Sequence, residues 1–180
     1  MVQEQENAIS IDWKKALTKV AQFSVFISLA VIAPYFGNQL LTGSIINALL
    51  FIATTIMGVE YAIILCLVPS LISVYTGFLP LILAPIIPFI MIGNALLVLT
   101  YSSLTSPSTS LRTRGFWVGA IPAAFVKFIF IWLAGMILAN SILHGIAKNI
   151  MLIISWPQLV TAIAGAAIAY FVLKIISYIK

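Results

Sequence analysis

Charged residues are what this sequence has least of. Only 7% of its 180 residues are Asp, Glu, Lys or Arg, whereas 63% are hydrophobic. An ordinary soluble domain carries about 25% charged residues. The composition therefore argues against a water-soluble domain and indicates one polytopic membrane protein.

Groups that bind metals or act in catalysis are also scarce. The chain has one cysteine, one histidine and four acidic residues. It cannot form an intramolecular disulfide, and a thiolate-ligated zinc or iron–sulfur site lacks ligands. We expect Cys66, inside an apolar run, to be a small buried hydrophobic residue. No Ser–His–Asp set and no phosphate-binding loop is present. The sequence therefore predicts a protein that is not an enzyme and has no metal site and no cofactor.

The positive net charge of +5 does not indicate nucleic-acid binding. The cations are scattered among apolar segments and form no basic patch. In a membrane protein such cations set the orientation of the helices. The first residues, MVQEQENAISID, are polar and acidic, so we expect no cleavable signal peptide.

Hydrophobic segments of membrane-spanning length recur along the chain. A bilayer core of about 30 Å needs about 20 apolar residues per helix. We predict an all-α integral membrane protein, a six-transmembrane-helix bundle formed by one domain over residues 1–180. Its predicted helices are 13–33, 44–57, 61–76, 81–103, 116–141 and 155–178. The second and third are short, so a re-entrant pair is an alternative.

The positive-inside rule gives the orientation of these helices. With six spans, seven of the nine cations fall on the side of the two termini. They are Lys14, Lys15, Lys19, Arg112, Arg114, Lys174 and Lys180. We therefore expect both termini and the 104–115 linker in the cytoplasm of a cell-membrane protein. The polar connection 34–43 then lies outside.

Lys127 lies near the middle of the predicted fifth helix, in IPAAFVKFIFIWLAG. A lysine at the centre of a bilayer costs about 2.5–3.5 kcal/mol on insertion scales. Ala120, Ala124 and Ala134 share its helix face, and small residues mark faces that pack against other helices. No carboxylate lies in any predicted span. Lys127 therefore contacts a ligand, has lost its proton, or is held for structure by carbonyls, amides or water.

Several amides and a tryptophan lie in the outer half or near the middle of the predicted bundle. Together with Lys127 they suggest a pocket that opens outward, with the lysine at depth. The predicted substrate-binding residues are Asn38, Gln39, Thr42, Asn47, Asn94, Lys127, Trp156 and Gln158. The alternative is that the amides bond one another or cap helices, and that Trp156 and Tyr35 are interfacial anchors.

The first helix carries small residues near its cytoplasmic half, at Ala21, Ser24 and Ser28. The two serines form a small-xxx-small pair, which permits close helix contact. This surface is the predicted docking site for a partner protein. The alternative is that it packs against the sixth helix.

The stretch 38–98 resembles the substrate-binding (S) components of energy-coupling factor (ECF) transporters. The resemblance rests on Gly58, Pro69, the TGFLP turn, the PFIMIGN start of helix four and the SWPQLVTAIAGA start of helix six. It extends over about 15–175. It implies a six-helix protein with cytoplasmic termini that binds a vitamin or related micronutrient under the connection between helices one and two. It also implies docking on a transmembrane coupling protein associated with two ATPases.

Within the resemblance, the implied ligand contacts are Gln39, Asn47, Asn94, Lys127 and Gln158. The family docks through an A-x-x-x-A pattern on helix one, whereas this chain has Ala21 and S-x-x-x-S. The sequence thus predicts a membrane-embedded substrate-binding subunit of an ECF-type importer. The alternatives are a free-standing small secondary transporter, in which Lys127 changes protonation, and a structural subunit of a membrane complex.

Overall fold

The computed structural model describes residues 13–77, 81–105, 113–141 and 147–178. This part of the chain forms six α-helices and two 3-10 helices and has no strand. The α-helices are α1 (Trp13–Ile32), α2 (Gln39–Ile56), α3 (Val59–Tyr75), α4 (Ile87–Leu104), α5 (Thr113–Ser141) and α6 (Ala147–Tyr178). The 3-10 helices are Ala33–Phe36, between α1 and α2, and Leu81–Ile86, before α4.

The predicted fold class is confirmed: the chain is an all-helical membrane bundle. Within the described ranges, five segments are long and apolar enough to cross a membrane. They are Trp13–Phe36, Gln39–Ile56, Ala84–Leu104, Gly115–Leu138 and Trp156–Ile176. The apolar segment of α3, Val59–Ile72, is shorter. A crossing by α3 therefore stays a prediction.

The connection between α1 and α2 is shorter than predicted. The Asn38 side chain accepts hydrogen bonds from the backbone N–H groups of Leu40 (2.9 Å) and Leu41 (3.1 Å). This cap starts α2 at Gln39 and not at residue 44, because it satisfies N–H groups that have no partner within the helix. The prediction of a polar connection over 34–43 is wrong for its second half.

Two other predicted helix starts also differ from the structure. The predicted start of helix four, residue 81, is a 3-10 turn that contains Pro85, and α4 follows at Ile87 with Pro88 in its first turn. Proline fits the first turn of a helix, because the N–H it lacks would have no helical partner there. α6 begins at Ala147, well before residue 155, and continues through Pro157.

Most of the buried apolar side chains form one large core between α2, α3, α4, α5 and α6, which also includes Ala30 and Ala33. Within this core the rings of Phe51 and Tyr101 lie 5.1 Å apart in an edge-to-face contact, and the ring of Phe116 lies 5.6 Å from that of Tyr101. We call these three rings the aromatic cluster. It lies where α4 ends and α5 begins, and so it closes that end of the bundle.

A second, smaller apolar cluster lies at the other end of α4 and α5. It consists of Ile86, Ile131 and Leu138, with Phe89 and Phe130 packed against it. The middle of the bundle is therefore flanked by hydrophobic packing at both ends.

α1 lies at the edge of the bundle, where it contacts α2, α3 and the first 3-10 helix. Its described residues include only one fully buried side chain, Ala30. Apolar side chains such as Leu17, Val25 and Leu29 face outward. In a bilayer, such a surface faces lipid or another membrane protein.

Candidate functional site

Lys127 is almost completely buried, with 2% of its side chain exposed. Its Nζ donates a hydrogen bond to Asn47 Oδ1 at 2.6 Å and another to Asn94 Oδ1 at 2.7 Å. Asn47 and Asn94 are equally buried. Three polar residues that are far apart in the sequence therefore meet inside an apolar bundle.

A fourth residue, Thr161, completes this group. Asn47 Nδ2 donates to Thr161 Oγ1 at 3.3 Å, and the Thr161 hydroxyl donates to the main-chain oxygen of Gln158 at 3.2 Å. We call Lys127, Asn47, Asn94 and Thr161 the lysine–amide cluster. Its members come from α5, α2, α4 and α6, so four of the core helices each contribute one side chain.

Close helix contacts bring these side chains together. A Cβ atom added to Gly165 on α6 would lie 2.6 Å from Asn47 Cβ and 2.8 Å from Ser44 O. A Cβ added to Gly93 on α4 would lie 2.8 Å from Ile131 Cδ1 on α5. Glycine at both positions lets the helices approach closely enough for their polar side chains to bond.

The charge of a protonated Lys127 is not balanced by the groups that it contacts. Both of its acceptors are neutral amide oxygens. Of the four acidic residues, Glu4, Glu6 and Asp12 precede α1, and Glu60 lies in the first turn of α3. Cys66 is the other ionisable group near Lys127, and its thiol donates to Ala62 O at 3.2 Å. Cys66 is buried, as expected for a small hydrophobic residue.

A resident metal ion is not supported by the described residues. Their His, Cys, Asp and Glu side chains form no group of three or more that could hold one. The chemistry available to the cluster is therefore hydrogen bonding and charge.

The structure brings together three of the eight predicted substrate-binding side chains, Lys127, Asn47 and Asn94. Gln158 joins them through its main-chain oxygen. Thr161 was missed by the sequence reasoning. The available signal was its spacing of four residues from Gly165, which places both on the helix face that packs against α2.

Of the other predicted residues, Asn38, Gln39 and Thr42 lie at or near the start of α2, and Trp156 lies nine residues after the first residue of α6. Asn38 caps α2, and Thr42 Oγ1 donates to Ala33 O at 2.9 Å. Gln39 is exposed, as is Trp156, at 63%. Capping and anchoring account for Asn38, Thr42 and Trp156, and a role of any of the four in binding stays a prediction.

The predicted docking residues Ala21, Ser24 and Ser28 all lie on exposed positions of α1. The Ser24 hydroxyl donates to Val20 O at 2.9 Å, and that of Ser28 donates to Ser24 O at 2.8 Å. Because each hydroxyl bonds within its own helix, these positions present a small, nearly apolar surface.

Fold and site together define a helical membrane protein with a buried lysine–amide cluster between four helices. Comparisons of the chain with protein-family models, curated proteins and solved structures gave no match.

Proposed function

We propose that this chain is the membrane-embedded substrate-binding subunit of an ECF-type importer, which captures a vitamin or related micronutrient from outside the cell. The observation that carries the proposal is Lys127, buried in the bundle with only neutral amide oxygens as its acceptors. A charged group at this depth costs several kcal/mol unless it is compensated, and ionisable residues inside membrane proteins commonly mark substrate pathways.

The difference between the two ends of the bundle supports a binding site that opens toward one of them. At the end where α4 stops, the aromatic cluster fills the bundle, and Tyr101 OH is hydrogen-bonded to Thr55 Oγ1 at 3.0 Å. Toward the other end, the apolar cluster of Ile86, Ile131 and Leu138 lies between α4 and α5. There Asn38 and Gln39 at the start of α2 and Trp156 on α6 provide polar and amphipathic groups. In the proposed orientation that end faces outward, and substrate enters there.

The proposed partners follow from what the chain lacks and from the surface of α1. The sequence has no phosphate-binding loop, so ATP hydrolysis requires separate ATPase subunits. The exposed surface at Ala21, Ser24 and Ser28 is the proposed contact for a transmembrane coupling protein. We propose that the protein crosses the cell membrane several times, with both termini in the cytoplasm.

Native mass spectrometry of the protein, extracted gently from its own membranes, tests this function. We expect a small molecule bound at a ratio of one to one, and membrane and ATPase subunits in a fraction of the complexes. An empty chain held tightly by other membrane proteins would favour a structural subunit. Uptake by this chain alone in liposomes would favour a free-standing transporter.

Replacing Lys127 by alanine tests the site itself. We expect Lys127→Ala to remain folded and to retain less of the compound that copurifies with the wild-type protein. Lys14→Ala removes an exposed cation at the start of α1 and serves as the control. A folded Lys127→Ala protein with unchanged occupancy would remove Lys127 from the binding site.

A further inference from the structure

The lysine–amide cluster has more hydrogen-bond donors than acceptors. A protonated Lys127 has three N–H donors, and two of them are used by Asn47 and Asn94. Both acceptors are amide oxygens, so the two amide nitrogens are further donors of the cluster. Asn47 Nδ2 is bonded to Thr161.

The Asn94 amide nitrogen has no acceptor in the described part of the chain. The structure gives Asn94 one side-chain hydrogen bond, the one that its Oδ1 accepts from Lys127. Every fully buried side-chain nitrogen and oxygen atom in the same residues has a partner. Asn94 Nδ2 is therefore not fully buried, although its residue is only 3% exposed, and it is a donor without an acceptor among the described residues.

From this surplus of donors we infer that the substrate binds the cluster through a carboxylate, which accepts from the Lys127 ammonium and from Asn94 Nδ2. One lysine with neutral neighbours matches one negative charge, so a monoanion fits better than a phosphate dianion. Hydrogen bonds to charged groups are the strong ones, which lets two donors anchor a small molecule. This inference rests on the proposed function and deepens it by naming the group of the substrate that is recognised.

The test adds a carboxylate to the protein itself, next to the place where the carboxylate of the substrate is proposed to bind. Asn94→Asp places a negative charge beside Lys127, where it pairs with the ammonium and competes with a bound anion. We expect the wild-type protein to copurify with a carboxylate compound, identified by mass spectrometry of the extracted small molecules. We expect Asn94→Asp to unfold thermally no earlier than the wild type and to bind that extracted compound roughly 10- to 100-fold more weakly, since a charge-assisted hydrogen bond is lost.

Two further variants control for misfolding and for added charge. Lys127→Gln keeps N–H donors and removes the cation, and we expect it to lose the compound to a similar extent. Ser103→Asp adds a carboxylate at an exposed position near the end of the same helix, and we expect it to keep the compound. Unchanged binding in both cluster variants would overturn the inference.

The outcomes separate this inference from the proposed function. A neutral copurifying compound would overturn the carboxylate alone. A carboxylate bound to a chain that associates with no ATPase or coupling protein would support the inference and contradict the importer subunit. A wild-type protein that carries no small molecule would contradict both.

Discussion

Lys127 owes its position to the residues that surround it. An isolated ammonium group in an apolar interior is costly, and each amide that replaces water lowers that cost. The two short bonds to Asn47 and Asn94 therefore lower the cost of burying the ammonium and also form a candidate recognition surface. The same residues serve both purposes, because groups that solvate an ammonium also orient it toward a ligand.

Thr161 accepts a hydrogen bond from Asn47 Nδ2, and removing its single hydroxyl group tests how much this bond contributes to stability. Thr161→Val keeps the shape and removes the acceptor of Asn47 Nδ2. We expect it to lower the free energy of unfolding by about 1 kcal/mol, the scale of hydrogen bonds between membrane helices. Thr161→Ser keeps the hydroxyl and serves as the control. If both variants have the same free energy of unfolding in detergent, the bond to Asn47 contributes nothing to the stability of the protein.

Asn38 gives a second prediction at the residue scale, because a cap and a substrate contact respond differently to substitution. Asn38→Ala removes the acceptor for Leu40 and Leu41 N–H and should lower the free energy of unfolding by about 1 kcal/mol. Asn38→Ser restores a capping oxygen and should recover most of the stability. If binding of the copurified compound falls in both variants while stability recovers in the serine variant, Asn38 contacts substrate as well.

At the scale of helices, the close contact between α2 and α6 organises the site. Two glycines make it possible, one on each helix. A Cβ on Gly43 would lie 2.8 Å from Thr161 Cγ2, and one on Gly165 would meet Asn47 and the backbone of Ser44 and Ala48. These contacts flank the bond between Asn47 and Thr161. The close packing of α2 and α6 therefore also determines the positions of Asn47 and Thr161 in the lysine–amide cluster.

The prediction at the scale of helices is that one methyl group added to this contact destabilises the protein. Gly165→Ala forces α2 and α6 apart, and we expect it to lower the free energy of unfolding by about 1–3 kcal/mol. Gly135→Ala is the matched control, because a Cβ there has no atom within 4 Å. It should leave stability unchanged or raise it by up to about 1 kcal/mol through helix propensity. Thermal unfolding of both variants in the same detergent compares them, and equal loss in both would contradict the close contact.

At the scale of the whole molecule, the number of crossings decides where the termini lie. Six crossings place both termini on one side, whereas five place them on opposite sides. The apolar segment of α3, Val59–Ile72, is shorter than the five spanning segments, so the number of crossings depends on this helix. The distribution of lysine and arginine favours six crossings with cytoplasmic termini.

Cysteine labelling measures this arrangement directly. In a Cys66→Ala background, single cysteines replace Ser10, Ser177 and His144. We expect a membrane-impermeant maleimide to label the His144 position in intact cells and the other two only after permeabilisation. Labelling of just one terminus in intact cells would show that α3 does not cross the membrane.

Composition and hydrophobic length were enough to predict the class of this protein and the approximate positions of its helices. Helix boundaries were less predictable where local side-chain chemistry decides them, as at the Asn38 cap and at Pro85. The lysine–amide cluster was only partly predictable. A buried lysine and several amides demand polar partners, but a linear sequence does not say which amides meet.

Only the tertiary structure decided that choice. It selected Asn47 and Asn94, placed Asn38 and Gln39 at the start of α2, and left Trp156 exposed on α6. It also added Thr161, a residue unremarkable in sequence. The physical reason is that partners within a helix are fixed by spacing along the chain, whereas partners between helices depend on which faces can approach closely. Gly93 and Gly165 set that approach, and they brought four helices together around one lysine.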